Sequence, residues 1–377
     1  MPLWLFLSFA NAEPFVYDIS DAIDLEIGGN WSIPLLYNND WHIALAQEGD
    51  LLLVPIEENS WFVPFEEAVS LTGRTDLSDH SIRKCPDGTW LHVASAVPTN
   101  HIFRYDDNFG LVAESEYVQS EPPHAANDVP AVCGSRFQGF GIAEQVGLRD
   151  FFIDVGQNAS LSEPTEIMDS PRMTGAGLLD DDNWSQLLAV GVDPGPNLTV
   201  SAYGLDLALQ ERWIIERPLP EIVLYWPSSF TRVGDYFLIL TMGRDPAENW
   251  DADTGDVYLF VVDETFTLLE WHQITFADPF LGGFMRPWLQ RKEDTIVMGF
   301  DKQNAVFIAH ATLDLEAFGI NDIEDEDPPS NDPDESWKED QSSTATPNGG
   351  CRDKSQAILP ILYFPFLIRA RRRKKWT

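Results

Sequence analysis

The chain has 377 residues, 44% of them apolar and 12% aromatic, enough to pack one large core or two smaller ones. Sixty-one acidic residues against 24 basic ones give a formal net charge of −37. That balance argues against nucleic acid as a partner, since phosphate binding needs a basic footprint. An evenly acidic surface suits salty surroundings, where screening removes the self-repulsion.

Met1–Ala12 reads as a signal peptide, with Leu3–Phe9 as a minimal apolar core and Ala10-Asn11-Ala12 as a small-x-small cleavage pattern. The mature chain is then expected to begin near Glu13. The positive leading segment of such signals is missing, so either the true start lies upstream of Met1 or the signal is a weak one.

Two series of short segments run in phase through residues 13–320. In the first, an apolar residue precedes an aspartate (Asp106, Asp154, Asp206, Asp263 and Asp314), about every 50 residues. Strand, tight turn opened by Asp, return strand is the expected local structure, with the carboxylate capping the turn backbone. In the second, segments such as Asp40–Ala46, Gly88–Ser95, Asn183–Val190, Gly234–Thr241 and Asp294–Phe300 start at a turn residue and become nearly all apolar. A strand buried on both faces reads this way. Another short strand lies just upstream of each, such as Ser32–Tyr37 or Val129–Cys133. Six units of about four strands predict an all-β fold, a β-propeller of six blades, with five or seven left open. Phe15–Leu25 is expected to complete the last sheet and close the ring.

Composition changes abruptly after Phe318. Asn321–Asp340 holds ten acids, one lysine and three prolines. Residues 321–350 therefore form a disordered acidic linker, with too little apolar surface to offset the entropy of ordering. Residues 351–377 form a separate tail. Gly350-Cys351 is followed by the apolar run Ala357–Ile368 and then by Arg369 to Lys375, which is almost entirely cationic. The run is about 12 residues, broken by Pro360 and Pro365, against the ~20 that a stable transmembrane helix needs. Its cations would stay inside, leaving the rest of the chain outside.

The order Gly-Cys, apolar run, arginine cluster resembles the myxobacterial-type C-terminal sorting signals, over residues 349–375. The resemblance implies a processed tail, surface attachment through Cys351 and a place at the outer surface of a bacterial cell envelope. An unprocessed basic tail that touches the membrane is the other reading. Cys85 and Cys133 sit at matching places in successive units, and an exported chain can bridge them as a disulfide; two buried thiols are the alternative. No Cys/His spacing suggests zinc.

Propeller ligands are expected over the central channel, where the innermost strands begin. Those entrances read Asn30-Trp31-Ser32, Asp79-His80-Ser81-Ile82-Arg83, His124 with Asn127-Asp128, Asp169 to Arg172, Trp226–Ser228 and Phe284-Met285-Arg286-Pro287-Trp288. His80, Arg83, Asn127, Arg172, Arg286 and Trp288 are the candidate ligand contacts, suited to a glycan or other surface polymer. The layout loosely resembles the propeller glycosidases. That resemblance implies Asp79 and Asp128 as the catalytic carboxylate pair, one protonating the leaving oxygen and the other attacking or activating water. Arg83, Arg172 and Arg286 would instead clamp an anionic group in the manner of the sialidases. Cys85–Trp90 is only a fragment of the sialidase box, and Asp79 and Asp128 as plain turn caps with His80 in a polar pocket is the bland alternative. No cofactor motif is evident. Calcium is the one metal to weigh, at Asp251–Asp256 or Asp180–Asp182, although the first lacks the terminal bidentate acid and also reads as a hairpin turn. A binding module, a glycoside hydrolase and a structural surface protein all fit the chain.

Overall fold

In the computed structural model the described residues are 14–96, 98–118, 130–144, 149–170, 173–180, 185–192, 196–247, 255–276 and 283–320. They comprise 25 strands and one 3₁₀ turn at Phe65–Glu67. The chain divides into a unit Met1–Ile323 and a unit Glu324–Thr377. The second unit, with the linker, the tail and Cys351, lies outside the described residues, as does the signal segment. Among the described residues no helix is long and apolar enough to cross a membrane.

Two N-terminal strands, β1 (Val16–Tyr17) and β2 (Ile23–Gly28), precede the first full sheet. Blade 1 is β3 (Asn30–Tyr37), β4 (Asp40–Gln47), β5 (Asp50–Pro55) and β6 (Val69–Ser70). Blade 2 is β7 (Ser78–Lys84), β8 (Trp90–Ala96), β9 (Thr99–Tyr105) and β10 (Leu111–Val118). Blade 3 is β11 (Ala131–Cys133), β12 (Gln138–Glu144), β13 (Arg149–Asp154) and β14 (Thr165–Ile167). Blade 4 is β15 (Met173–Asp180), β16 (Ser185–Val192), β17 (Leu198–Tyr203) and β18 (Leu209–Ile215). Blade 5 is β19 (Val223–Val233), β20 (Tyr236–Arg244), β21 (Asp256–Val262) and β22 (Leu268–Gln273). Blade 6 is β23 (Met285–Lys292), β24 (Thr295–Lys302) and β25 (Ala305–Leu313), completed from the other end of the chain by β1.

The first strand of every sheet touches the first strands of both neighbouring sheets, β23 returning to β3, so the ring closes at six blades with these strands innermost. Sheets stacked face to face leave their middle strands no solvent. The described residues of β8, β17, β20 and β21 are accordingly buried almost throughout, whereas β10 alternates toward water. One apolar cluster fills each gap between blades, from Ile33, Leu53 and Phe103 between blades 1 and 2 to Ile43, Val297 and Ile308 between blades 6 and 1.

The aspartate turns behave as expected in four blades. Asp106, Asp206, Asp263 and Asp314 each accept a hydrogen bond from the backbone N–H two residues on. Asp154 differs: it ends β13, and the longer turn after it is held by Asn158, whose Oδ1 accepts from the Ser160 N–H. A disulfide joins Cys85, just past β7, to Cys133 on β11, with Cα atoms 4.8 Å apart, linking blades 2 and 3.

Ring closure has its own lock. Val16 pairs with Leu313 and Tyr17 with Thr312, so the N-terminus supplies the outer strand of the last blade. Glu270, on the outer strand of blade 5, accepts hydrogen bonds from the N–H groups of Phe15 (2.8 Å) and Val16 (3.2 Å) and contacts His272. Burial alone pushes the Glu270 carboxyl up, but the bonds from His272, Phe15 and Val16 outweigh it and the net direction is down. Its contribution to stability is therefore present above pH 4.5, the ordinary value, and is lost as pH falls through the depressed folded value. Glu270→Gln is expected to cost about 1 kcal/mol at pH 7, the difference between charged and neutral acceptors, and less at about pH 3, below the ordinary carboxyl value. Urea unfolding at the two pH values checks this, and an equal loss at both would show that the carboxylate charge is not what holds β1.

Candidate functional site at the channel mouth

Each innermost strand runs from the channel mouth inward, and in five blades its pairing slips at the entrance. The register shifts lie between Asn30 and Ile33, Ser78 and His80, Met173 and Gly175, Tyr225 and Ser229, and Met285 and Trp288. Three of the bulged residues are held at positive φ without being glycine: Trp31 (56°), Asp79 (43°) and Arg286 (52°). Such backbone costs energy and persists only where the surroundings enforce it, and bulges re-aim side chains. Here an indole, a carboxyl and a guanidinium stand at matching places of blades 1, 2 and 6.

Arg286 connects them. Its Nη1 lies 3.1 Å from Asp301 Oδ2, and its Cζ lies 4.8 Å from the centre of the Trp31 ring. Asp301 ends the buried run of β24 and is 1% exposed. Burial pushes its carboxyl up to about 7, more than the charge of Arg286 and the backbone N–H of Trp31 pull it down. The Asp79 carboxyl is likewise pushed up to about 6 by burial, against the charge of Arg286 and the hydroxyls of Ser78 and Ser95, each 3.2 Å from Oδ2. Two carboxyl groups that hold protons near neutrality thus share one arginine. An open groove of about 410 Å³ lies where β3 and β7 begin, lined by Gly29, Asn30, Gln47, Glu48, Ser78 and Asn304 among others.

Deeper in, Arg83 on β7 lies over Trp288 on β23, its Cζ 4.9 Å from the ring centre. Blade 1 separates these two strands around the ring, so the contact joins blades 2 and 6 past the innermost strand of blade 1.

No family model and no curated protein matches the sequence. Among solved structures the chain is similar to a neuraminidase-like protein of A/little yellow-shouldered bat/Guatemala, at 8% identity and TM-score 0.47, over 78% of this chain and 99% of that one. It is similar to a luciferin-regenerating enzyme at 12% identity and TM-score 0.46, over 77% and 94%. A protein of unknown function from Bacteroides caccae gives 10% identity and TM-score 0.42, over 64% and 81%. Likeness this distant says nothing about ligand or reaction.

Of the residues expected from sequence, Asp79, Arg83, Arg286 and Trp288 come together at the channel. His80 faces the other way: it is fully buried within blade 2, its Nδ1 3.1 Å from His92 Nε2, and burial pushes it down to about 3, so it stays neutral. His92 continues to the Tyr105 hydroxyl at 3.4 Å, making a closed aromatic stack inside the blade. Asn127, Asp128 and Arg172 lie outside the described residues, as do His124 and most of both calcium-like loops. Asp256, the last acid of one loop, is buried and accepts hydrogen bonds from Thr275 and Gln273. His101, Glu114 and Glu116 approach as metal ligands would, but Arg74 Nη1 already sits 3.1 Å from His101 Nδ1 and 3.5 Å from Glu114. Asp301 and Ser95 are site residues that sequence reasoning missed; a lone acid directly after the apolar run Thr295–Phe300 was the available signal.

Proposed function

We propose that this propeller is a saccharide-binding module, exported and displayed at a bacterial cell surface through its C-terminal tail. The observation that carries it is the ring of bulged entrances, where strained backbone at Trp31, Asp79 and Arg286 aims stacking and hydrogen-bonding groups at one place. The groove lined by Asn30 and Ser78, the residues before Trp31 and Asp79, has the volume of a small-ligand site. The disulfide between Cys85 and Cys133 agrees with an oxidising compartment, as the signal peptide and tail do.

A hydrolase is the second reading, favoured by one observation: Asp79 at about 6 and Asp301 at about 7 flank the same arginine, and a carboxyl protonated near neutrality is what a general acid needs. The test is a glycan array with the full chain, with and without calcium, each captured glycan then assayed for released product. Capture without product supports the module. If product appears, Asp79→Asn is expected to lower turnover about 100-fold or more with binding nearly kept. A blank array under both conditions rejects saccharide binding.

A further inference from the structure

The geometry points to Arg83 and Trp288 as a carboxylate-binding floor of the channel, and so to an acidic, uronate-type saccharide as the ligand class. This rests on the saccharide-binding reading above and narrows it. Cations are scarce in a chain with 61 acids and 24 bases, and several are visibly occupied. Arg286 is paired with Asp301, Arg74 with Asp76, Lys84 with Asp107 and Lys292 with Glu58. Arg83 has no carboxylate and no hydrogen-bond acceptor among the described residues, and its recorded contact is the face of Trp288. It is only partly exposed, and burial pushes its guanidinium down to about 10. A desolvated cation with no counter-ion among the described residues is unfavourable, and on the innermost strand of a channel it is placed to take an anion from outside the chain.

The geometry also selects the kind of anion. With its Cζ over the indole, the guanidinium has no acceptor for its planar fork of N–H donors among the described residues, and that fork matches a planar carboxylate bidentately. Asp79 and Asp301 lie toward the mouth above it, and their negative charge when ionised disfavours a doubly charged phosphate far more than a single carboxylate. Trp288 is 4% exposed and packed with Trp31, Ile33 and Ile82, so the floor is rigid. A sugar ring at the mouth with its carboxylate directed inward would meet each of these groups.

Calorimetric titration of the full chain with monomeric galacturonate and with its methyl ester tests this, since the ester keeps the ring and removes the one charge. The acid is expected to bind about ten-fold or more tightly than the ester, the size of one charge-assisted pair. In Arg83→Gln that preference is expected to shrink to about two-fold or less, while Arg83→Lys, which keeps the charge and loses the fork, falls between. Circular dichroism of each variant confirms that the fold is intact. Equal affinity for acid and ester, no binding of the acid, or an unchanged preference in Arg83→Gln each overturns the assignment. If neutral glycans are still captured on the array, only the carboxylate floor is lost; a blank array removes the saccharide site as well.

Discussion

Replacing Arg104 with alanine is expected to lower the stability of the folded chain by about 3–5 kcal/mol, enough to leave the propeller marginal. Arg104 is 1% exposed on β9 of blade 2 and reaches into blade 3. Its Nη2 donates to Gln138 Oε1 at 2.7 Å and to the Val155 carbonyl at 3.0 Å, and its Nη1 lies 2.9 Å from Cys85 Sγ beside the disulfide. Burial lowers its pKa, so the buried charge itself is a cost. Truncation orphans one buried acceptor, the Val155 carbonyl, at about 1–3 kcal/mol and one half-buried acceptor on Gln138, and leaves a cavity besides. Arg104→Met separates the two effects. It fills most of the volume and removes the unfavourable charge but leaves the acceptors orphaned, and is expected to cost about 2 kcal/mol. Denaturant unfolding of both variants under oxidising conditions is the check. A methionine variant as stable as the native chain would show that packing and the disulfide alone join blades 2 and 3.

The blades were legible because their physics is one-dimensional. A middle strand between stacked sheets must be apolar on both faces, so β8, β20 and β24 stand out as runs whatever their neighbours are. Asp106 and Asp263 cap turns within their own few residues, and that too can be read locally. The closing strand was legible in the segment Phe15–Leu25 ahead of the first unit, and β1 falls within it.

What escaped depends on groups distant in sequence. A polar residue opens the third strand of several blades and is tied to the loop about 20 residues on: Asp50 to Ser70 and Thr72, Asp150 to Ser170, Asp256 to Thr275. These tethers, each an Asp held by Ser or Thr, fall in blades 1, 3 and 5 and skip the blades between, so no pattern repeats from one unit to the next. Asp50 shows their electrostatics: burial raises its pKa, and the bonds from Ser70, Thr72 and Gly73 more than reverse that. The site escaped for the same reason. No glycine marks the bulges at Trp31, Asp79 and Arg286, and the pairing of Arg286 with Asp301 exists only once β23 and β24 are in register. Arg83 and Trp288 were each visible as candidates, but only the ring places one against the other.

Gly299→Ala tests whether ring closure and the site are one structure. Gly299 lies on β24 of blade 6 beneath β3 of blade 1, and a Cβ there would overlap the Ser32 carbonyl oxygen and sit 2.7 Å from its Oγ and 3.0 Å from Pro34 Cδ. A backbone carbonyl has no rotamer by which to move aside, so β3 itself must shift. Overpacking of this kind costs about 3 kcal/mol. Ser32 follows the strained Trp31, and Asp301 lies two residues beyond Gly299, so the same shift separates Trp31 and Asp301 from Arg286. Stability and saccharide affinity are therefore expected to fall together. Gly28→Ala is the control: its Cβ would come no nearer than 3.9 Å to Asn304 O, and its expected stability change is within about 0.5 kcal/mol. Thermal unfolding and titration of the two variants side by side decide the matter. A stable Gly299→Ala chain would mean that blades 6 and 1 are not in such close contact. A destabilised one with unchanged affinity would place the ligand away from the seam, on the side of the channel lined by blades 3 to 5.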